Sequence, residues 1–368
     1  MNNDGINNKK RKNKKINIVI ILLLVVIVIV GVVLLFNRLL DSKKNDENKE
    51  NENLQTEAST IVPTPTIEPT SKYQIFNTIS NKRPYAISIN NTNVAVKVQE
   101  GLNKAYIVYE LPTEFHTSRL LALFKDVEEL TVGTIRSCRH NFMDYAHDND
   151  AILVCYGWSH YAKDELEAGG TDFMNGNEKK WASAFWRNNP EKLAWEHTAY
   201  TSLEKIIDYT TKNNYRLTSD SAQLLNYSTE EIDLSSMEGN TNATDITIPY
   251  GGTTTRFTYD KKTKMYTRIV NGKTYKDHNT KEAYTTKNII IVKISHTMMP
   301  DNYYWDLKTT GTGNGYYITN GKSVPITWKK DSRNGKSKYY LTNGDELVVN
   351  DGRTYIEVNT KSKTVTIK

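Results

Sequence analysis

The chain has 368 residues and a formal net charge of +6, and it is too long for one average domain. Lys9, Lys10, Arg11, Lys12, Lys14 and Lys15 against Asp4 give residues 1–15 a net +5, leaving +1 over the other 353. That distribution excludes an extended basic face of the kind that binds nucleic acid, so no nucleic-acid partner is expected.

After the basic tail (1–15) comes an uncharged run of 19 residues, 18–36, nearly all Ile, Val and Leu. As a helix it would span roughly 28 Å, close to the hydrocarbon thickness of a bilayer. The pattern predicts a single transmembrane signal anchor over 16–36, with the N-terminus cytoplasmic and everything beyond it outside. The apolar run exceeds a usual signal-peptide core, and no small-residue cleavage site follows. The first cysteine is Cys138, so no lipid-anchor cysteine follows the run. Residues 37–72 are charged and amide-rich, then Pro-rich, with too few apolar residues to bury. They read as a disordered tether of about 30 Å root-mean-square span.

From residue 73 the character changes. "YAISIN" (85–90), "AYIVYEL" (105–111), "RLLALF" (119–124) and "AILVCYG" (151–157) are apolar runs of strand length. In "SCRHNFMDYAHD" (137–148), Cys138, Phe142, Tyr145 and Ala146 share one face of a helix, with Ser137 as its expected N-cap. "TSLEKIIDYTTKN" (201–213) predicts a second helix with Ser202 at its start. Residues 73–225 therefore predict an α/β or α+β domain. A polar connection covers 226–245. From 246 to 368, runs rich in Tyr, Val, Ile and Thr alternate with Asn271-Gly272, Asn320-Gly321, Asn334-Gly335, Asn343-Gly344 and Asp351-Gly352. These are hairpin turn pairs, and the segment predicts a β-rich second domain.

Chemistry concentrates in "VGTIRSCRH" (132–140). Gly133 suggests a turn, and Arg136 and Arg139 flank the helix start expected at Ser137. Guanidinium groups beside free helix N–H groups would hold a carboxylate or phosphate. The alternative is that these arginines pair with the protein's own carboxylates, Glu110 being the obvious one. His140, Asp144 and His147 fall on one helix face and are metal-capable types, but a solvated polar face is the preferred reading, and no metal is expected. His197 precedes the second helix and is a candidate acid or base, or a capping residue. Outside the cytoplasm a bridge between Cys138 and Cys155 is permitted, the alternative being two buried thiols. No phosphate-binding loop, dinucleotide fingerprint or nucleophile elbow is present, so no cofactor is expected. Exposed tyrosines in "NYYWD" (302–306) would stack on sugars, or simply reflect strand propensity.

Taken together, "RPYAISINN" (83–91), "AYIVYELP" (105–112), "TSRLLALF" (117–124), "VGTIRSCRHNF" (132–142), "EHTAYTS" (196–202), "ITIPYG" (246–251), "RFTYDKKTKMYTRIVNGK" (256–273) and "GTGNGYYITNGK" (311–322) give the chain a resemblance to the YerB-like lipoprotein family. These are two-domain exported proteins with no assigned biochemical activity. The resemblance covers roughly residues 73–368. It implies that Glu110, Arg119, Arg136, Ser137, Arg139 and His197 occupy the family's polar signature positions. Cys138 and Cys155 depart from the pattern, and a transmembrane anchor stands in for the usual lipid anchor.

The sequence thus predicts a membrane-anchored protein of the bacterial cell envelope. Its first reading is a binding or scaffold module in which Arg119, Arg136, Ser137 and Arg139 form a cleft for an anionic wall component or an exported protein partner. The alternative is a cell-wall hydrolase or transferase using Glu110 and His197.

Overall fold

A computed structural model describes residues 75, 77, 80–114, 117–221 and 223–368. The described residues belong to a compact unit, Pro69–Lys368. The expected cytoplasmic tail, membrane span and tether lie outside the described residues. Among the described residues no helix is long and apolar enough to cross a membrane.

The N-terminal segment is mixed α/β. Its strands are β1 (Tyr85–Ile89), β2 (Ile107–Pro112), β3 (Ser118–Phe124), β4 (Thr131–Gly133), β5 (Ile152–Cys155), β6 (Phe173–Asn175), β7 (Phe185–Arg187) and β8 (Ala199–Ser202). Its helices are α1 (Asn141–Asp148), α2 (His160–Ala168) and α3 (Leu203–Lys212). The C-terminal region is β-rich: β9 (Asn226–Ser228), β10 (Thr241–Asn242), β11 (Asp245–Pro249), β12 (Thr254–Asp260), β13 (Met265–Val270), β14 (Lys273–Thr274), β15 (Thr285–Thr286), β16 (Asn288–Ile294), β17 (His296–Met298), β18 (Trp305–Leu307), β19 (Gly311–Thr319), β20 (Lys322–Lys330), β21 (Lys338–Leu341), β22 (Val348–Asn350), β23 (Thr354–Thr360) and β24 (Thr366–Ile367).

One sheet runs through both segments, in the order β10-β20-β19-β16-β23-β2-β3-β1-β5-β6, with β21 beside β20. The link is β23, which lies parallel to both β16 and β2 and sets Glu357 opposite Glu110. Side chains on a strand alternate between faces, and the core divides accordingly. Ala86, Tyr109, Leu111, Leu121 and Leu153 point to one face, where Phe142, Met143 and Ala146 of α1 cover them. Ile87, Val108, Leu120, Ala122 and Val154 point to the other, against Leu203 and Ile206 of α3 and Ile246, Ile248, Phe257 and Tyr266 of a second sheet. That sheet has the order β14-β13-β12-β11-β24, with β15 beside β13. Burial on both faces explains why the central strands read as continuous apolar runs rather than alternating ones.

Several expectations change here. The helix expected from Ser137 begins at Asn141, with no side-chain cap. The backbone of 136–138 is used elsewhere: Arg136 N donates to Ser88 O, Tyr156 N to Arg136 O, and Cys138 N to Gly157 O. A chain paired laterally in this way is not free to wind into a helix turn. The second helix does start as expected, with Ser202 Oγ accepting from Lys205 N at 3.3 Å. Asn271-Gly272 and Asn320-Gly321 close two-residue hairpins, β13–β14 and β19–β20, with positive φ at both turn positions, the geometry such turns require. Asp351-Gly352 does not close a hairpin: β22 pairs with β9, whereas β23 joins the central sheet. Asn334-Gly335 and Asn343-Gly344 lie in longer connections on either side of β21.

Candidate functional site

β1, β5 and β6 are mutually parallel. In such sheets ligands favour the crevice beyond the carboxyl ends of the strands. Here β1 runs into Asn90, β5 into Tyr156-Gly157-Trp158, and β6 ends at Asn175 and runs into Gly176-Asn177. A small antiparallel sheet, β4-β8-β7, stands beside these ends. It delivers three further groups: Ile135 to Ser137 just after β4, Arg187 at the end of β7, and Trp195 to His197 just before β8. Ile135 N donates to Ala199 O at 2.7 Å, and Asn188 N to Thr198 O at 2.9 Å, which fixes the segments relative to one another.

Between them lies an open cleft of about 320 Å³, lined by Ile135, Arg136, Ser137, Tyr156, Gly157, Trp158, Asn177, Arg187, Trp195 and Glu196. Gly157 adopts φ +90°, and a Cβ there would stand 2.7 Å from Ser137 Oγ. The turn after β5 and the wall residue Ser137 therefore both require glycine. Gly133, expected to serve a turn, serves a close approach instead: a Cβ on it would meet the Tyr200 ring at 2.2 Å.

The two cleft arginines are held differently. Arg136 Nη1 donates to Glu196 O at 3.2 Å, and burial pushes its pKa down. Arg187 Cζ lies over two rings, 4.2 Å from the Tyr156 centroid and 4.0 Å from that of Trp195. Its Nη1 donates to Trp195 O at 2.6 Å, and its Nε is buried without a partner. Among the described residues neither arginine forms an ion pair with a carboxylate.

Arg119 and Arg139, expected in the cleft, do not line it and share one carboxylate, Glu114. Arg139 bonds Glu114 Oε1 directly, and Arg119 Nη2 lies 3.7 Å from the same atom. Burial opposes the charged form of Glu114, yet Arg119 and Arg139 hold its carboxyl down at about 2. Burial, with Arg139 beside it, lowers Arg119 to about 9, leaving it protonated at neutral pH. Arg119 Nη1 also donates to Ser137 O at 2.7 Å, so this cluster positions the cleft wall.

Glu110 does not meet Arg136 or Arg139. It is fully buried between the central and second sheets, 2.7 Å from Arg268 Nη2, and accepts further bonds from Asn91, Ser118 and Thr255. Asn90 and Asn91 divide the two environments: Asn91 serves Glu110, whereas Asn90 Nδ2 donates to His197 Nδ1 at 2.8 Å. An accepting Nδ1 makes His197 neutral with its proton on Nε2, consistent with burial lowering its pKa. Cys138 and Cys155 are both buried and unbridged, so of the two alternatives the structure has free thiols. Burial, together with the hydrogen bond that its thiol donates to the Cys138 side chain, pushes the Cys155 thiol well up. Asp144 bonds Arg333 and Thr309 and His147 bonds Thr171, whereas both ring nitrogens of His140 are buried without a hydrogen-bond partner.

Residues 70–216 match the family model described as "Protein of unknown function (DUF3048) N-terminal domain", and residues 246–356 match the corresponding C-terminal domain. "Putative lipoprotein YerB" of Bacillus subtilis (strain 168) is 30% identical over 279 residues, covering 75% of this chain and 78% of that protein. The chain belongs to the YerB-like family. The crystal structure of YerB protein from Bacillus subtilis superposes with a TM-score of 0.67 at 29% identity, over 78% of this chain and 94% of that one. The family assignment supports the pairing of a mixed α/β segment with a β-rich one.

Sequence reasoning missed Arg187, Tyr156, Trp158 and Trp195 as cleft residues, and Glu114 and Arg268 as the partners of the polar signature. The segment "FWRNNPEKLAWEH" (185–197) held one signal, an arginine and a tryptophan close before the candidate His197. No period or spacing tied it to Arg136.

Proposed function

We propose that this YerB-like chain is a membrane-tethered binding module of the cell envelope whose cleft holds an anionic envelope component. Residues 18–36 act as the anchor and 37–72 as the tether, with the folded unit outside the membrane. The observation that carries the reading is a pair of guanidinium groups, Arg136 and Arg187, lining an open cleft with no direct ion pair to a carboxylate among the described residues, Glu196 acting on Arg136 only through its field. Unpaired arginines in a partly desolvated, preformed cleft favour binding of a carboxylate or phosphate. Arg119 and Arg139 act from behind, through Glu114 and the Ser137 carbonyl, rather than as ligand contacts.

The hydrolase or transferase reading has less support. Glycoside hydrolysis uses two carboxyl groups at a defined separation. Glu110 is sealed against Arg268, and the carboxylate beside the cleft is that of Glu196.

The test is co-sedimentation of the full chain with isolated cell walls, beside the Arg136→Ala/Arg187→Ala variant, with the supernatant assayed for released sugars and peptides. Binding lost in the folded double variant is the expected result. Binding unaffected by the substitutions, or no binding, overturns the cleft reading and turns the search to exported protein partners; released fragments move the protein to an enzyme.

A further inference from the structure

We infer that the cleft recognises a sugar ring bearing a carboxylate or phosphate, with the anion between Arg136 and Arg187 and the ring stacked on Trp195. This rests on the anion-cleft reading and names its ligand class.

Trp195 is 70% exposed, the most open of the large apolar side chains described. It is not loose. Its carbonyl accepts from Arg187 Nη1 at 2.6 Å and from Thr198 Oγ1 at 2.8 Å, and Arg187 lies against its ring. A large ring fixed by its own backbone yet left open to solvent is a platform for another flat or apolar face. The apolar C–H face of a sugar fits such a platform, and its hydroxyls can stay in water at an open cleft.

Charge and size narrow the class further. Arg187 is oriented by the two rings and by its Nη1 bonds to Trp195 O and Thr198 Oγ1, which leaves Nη2 to donate to an oxygen ligand. Such a fixed guanidinium suits a planar or tetrahedral oxyanion better than a mobile lysine would. Glu196 at the rim opposes a ligand with many negative charges and offers an acceptor for a hydroxyl. About 320 Å³ sits near the lower bound of small-ligand sites, room for one substituted ring rather than a folded chain.

The test uses the full chain in detergent, titrated with glucuronic acid and glucose 1-phosphate as the two charged sugars. Glucose, inorganic phosphate and adenosine monophosphate are the comparisons, with tryptophan fluorescence and calorimetry as readouts. Carboxylate or phosphate preference between the two sugars identifies which anion source the cleft serves. At least one charged sugar is expected to bind about tenfold or more tighter than either glucose or phosphate alone. Trp195→Ala should remove that advantage while weakening phosphate binding far less, because Tyr156 and the residue-195 carbonyl still hold Arg187, and Arg136→Ala/Arg187→Ala should abolish both. No binding of either charged sugar at millimolar concentration, an unchanged affinity in Trp195→Ala, or tighter binding of adenosine monophosphate overturns the inference. If walls still sediment the chain through Arg136 and Arg187 in that event, the anion cleft stands and only its sugar ligand falls.

Discussion

Arg268 of β13 and Glu110 of β2 form an ion pair of 2.7 Å with both side chains out of contact with solvent. The pair joins the second sheet to the central one, and it removes Glu110 from the cleft chemistry. Breaking such a pair leaves an uncompensated buried charge. Glu110→Gln should therefore destabilise the chain by about 3–5 kcal/mol in denaturant unfolding. Glu110→Gln/Arg268→Met should recover much of that. A small stability loss accompanied by lost cleft binding would instead make Glu110 a functional group.

Glu357 lies opposite Glu110 on β23 and gives the fold a pH dependence. Burial, and then the neighbouring Glu110, push its carboxyl well above the ordinary range, while Tyr250 Oη donates to it at 2.8 Å and its Oε1 has no partner. The folded chain binds this proton more tightly than the unfolded chain does. The group's contribution is therefore full below the unfolded value of about 4.3 and is lost as pH rises through the raised folded value. Glu357→Gln should remove that slope and be at least as stable as wild type at neutral pH. Chemical denaturation at pH 5 and pH 8 checks it, and a Gln variant losing more stability at the higher pH contradicts it.

Glu114 has the opposite sign. Its carboxyl, held at about 2 by Arg119 and Arg139, contributes stability that is present above the unfolded value and lost as pH falls through the folded one. Glu114→Gln should cost roughly 2–3 kcal/mol at neutral pH and flatten acid unfolding below about pH 4. It should also weaken cleft binding, because Arg119 then loses the partner that steadies its bond to Ser137 O. Equal acid sensitivity in wild type and variant would show that Glu114 is not the group responsible.

Gly157→Ala combines a positive φ with a Cβ 2.7 Å from Ser137 Oγ. The expected outcome is a loss of about 1–3 kcal/mol and weaker wall binding. Full binding at unchanged stability would mean that the loop relaxes freely and does not shape the cleft.

Cys138 and Cys155 are buried, and burial keeps the Cys155 thiol protonated. Neither should react with a maleimide in the folded chain, and both should label on unfolding. Rapid labelling of the native chain would contradict the packing around them.

Much was legible in the residues alone. The four early apolar runs became β1, β2, β3 and β5, because a sheet covered on both faces leaves a continuous apolar signature. Ser202 announced its helix, and two of the Asn-Gly pairs announced their hairpins, because caps and tight turns are decided by a few adjacent residues. Arg136 and Ser137, singled out in the sequence, line the open cleft, although no helix starts there. What depended on distant partners was not legible. Glu110 meets Arg268 across 158 positions, and Arg139 meets Glu114 rather than Glu110. Arg187 and Trp195 reach Arg136 only because β7 and β8 stack on β4. Even the helix start moved, from Ser137 to Asn141, because lateral pairing with the turn after β5 claimed the backbone first. Local propensity and patterning act over a few residues and travel with the sequence itself; ion-pair partners and clefts are set by which strands meet, and that is decided only when the sheets close.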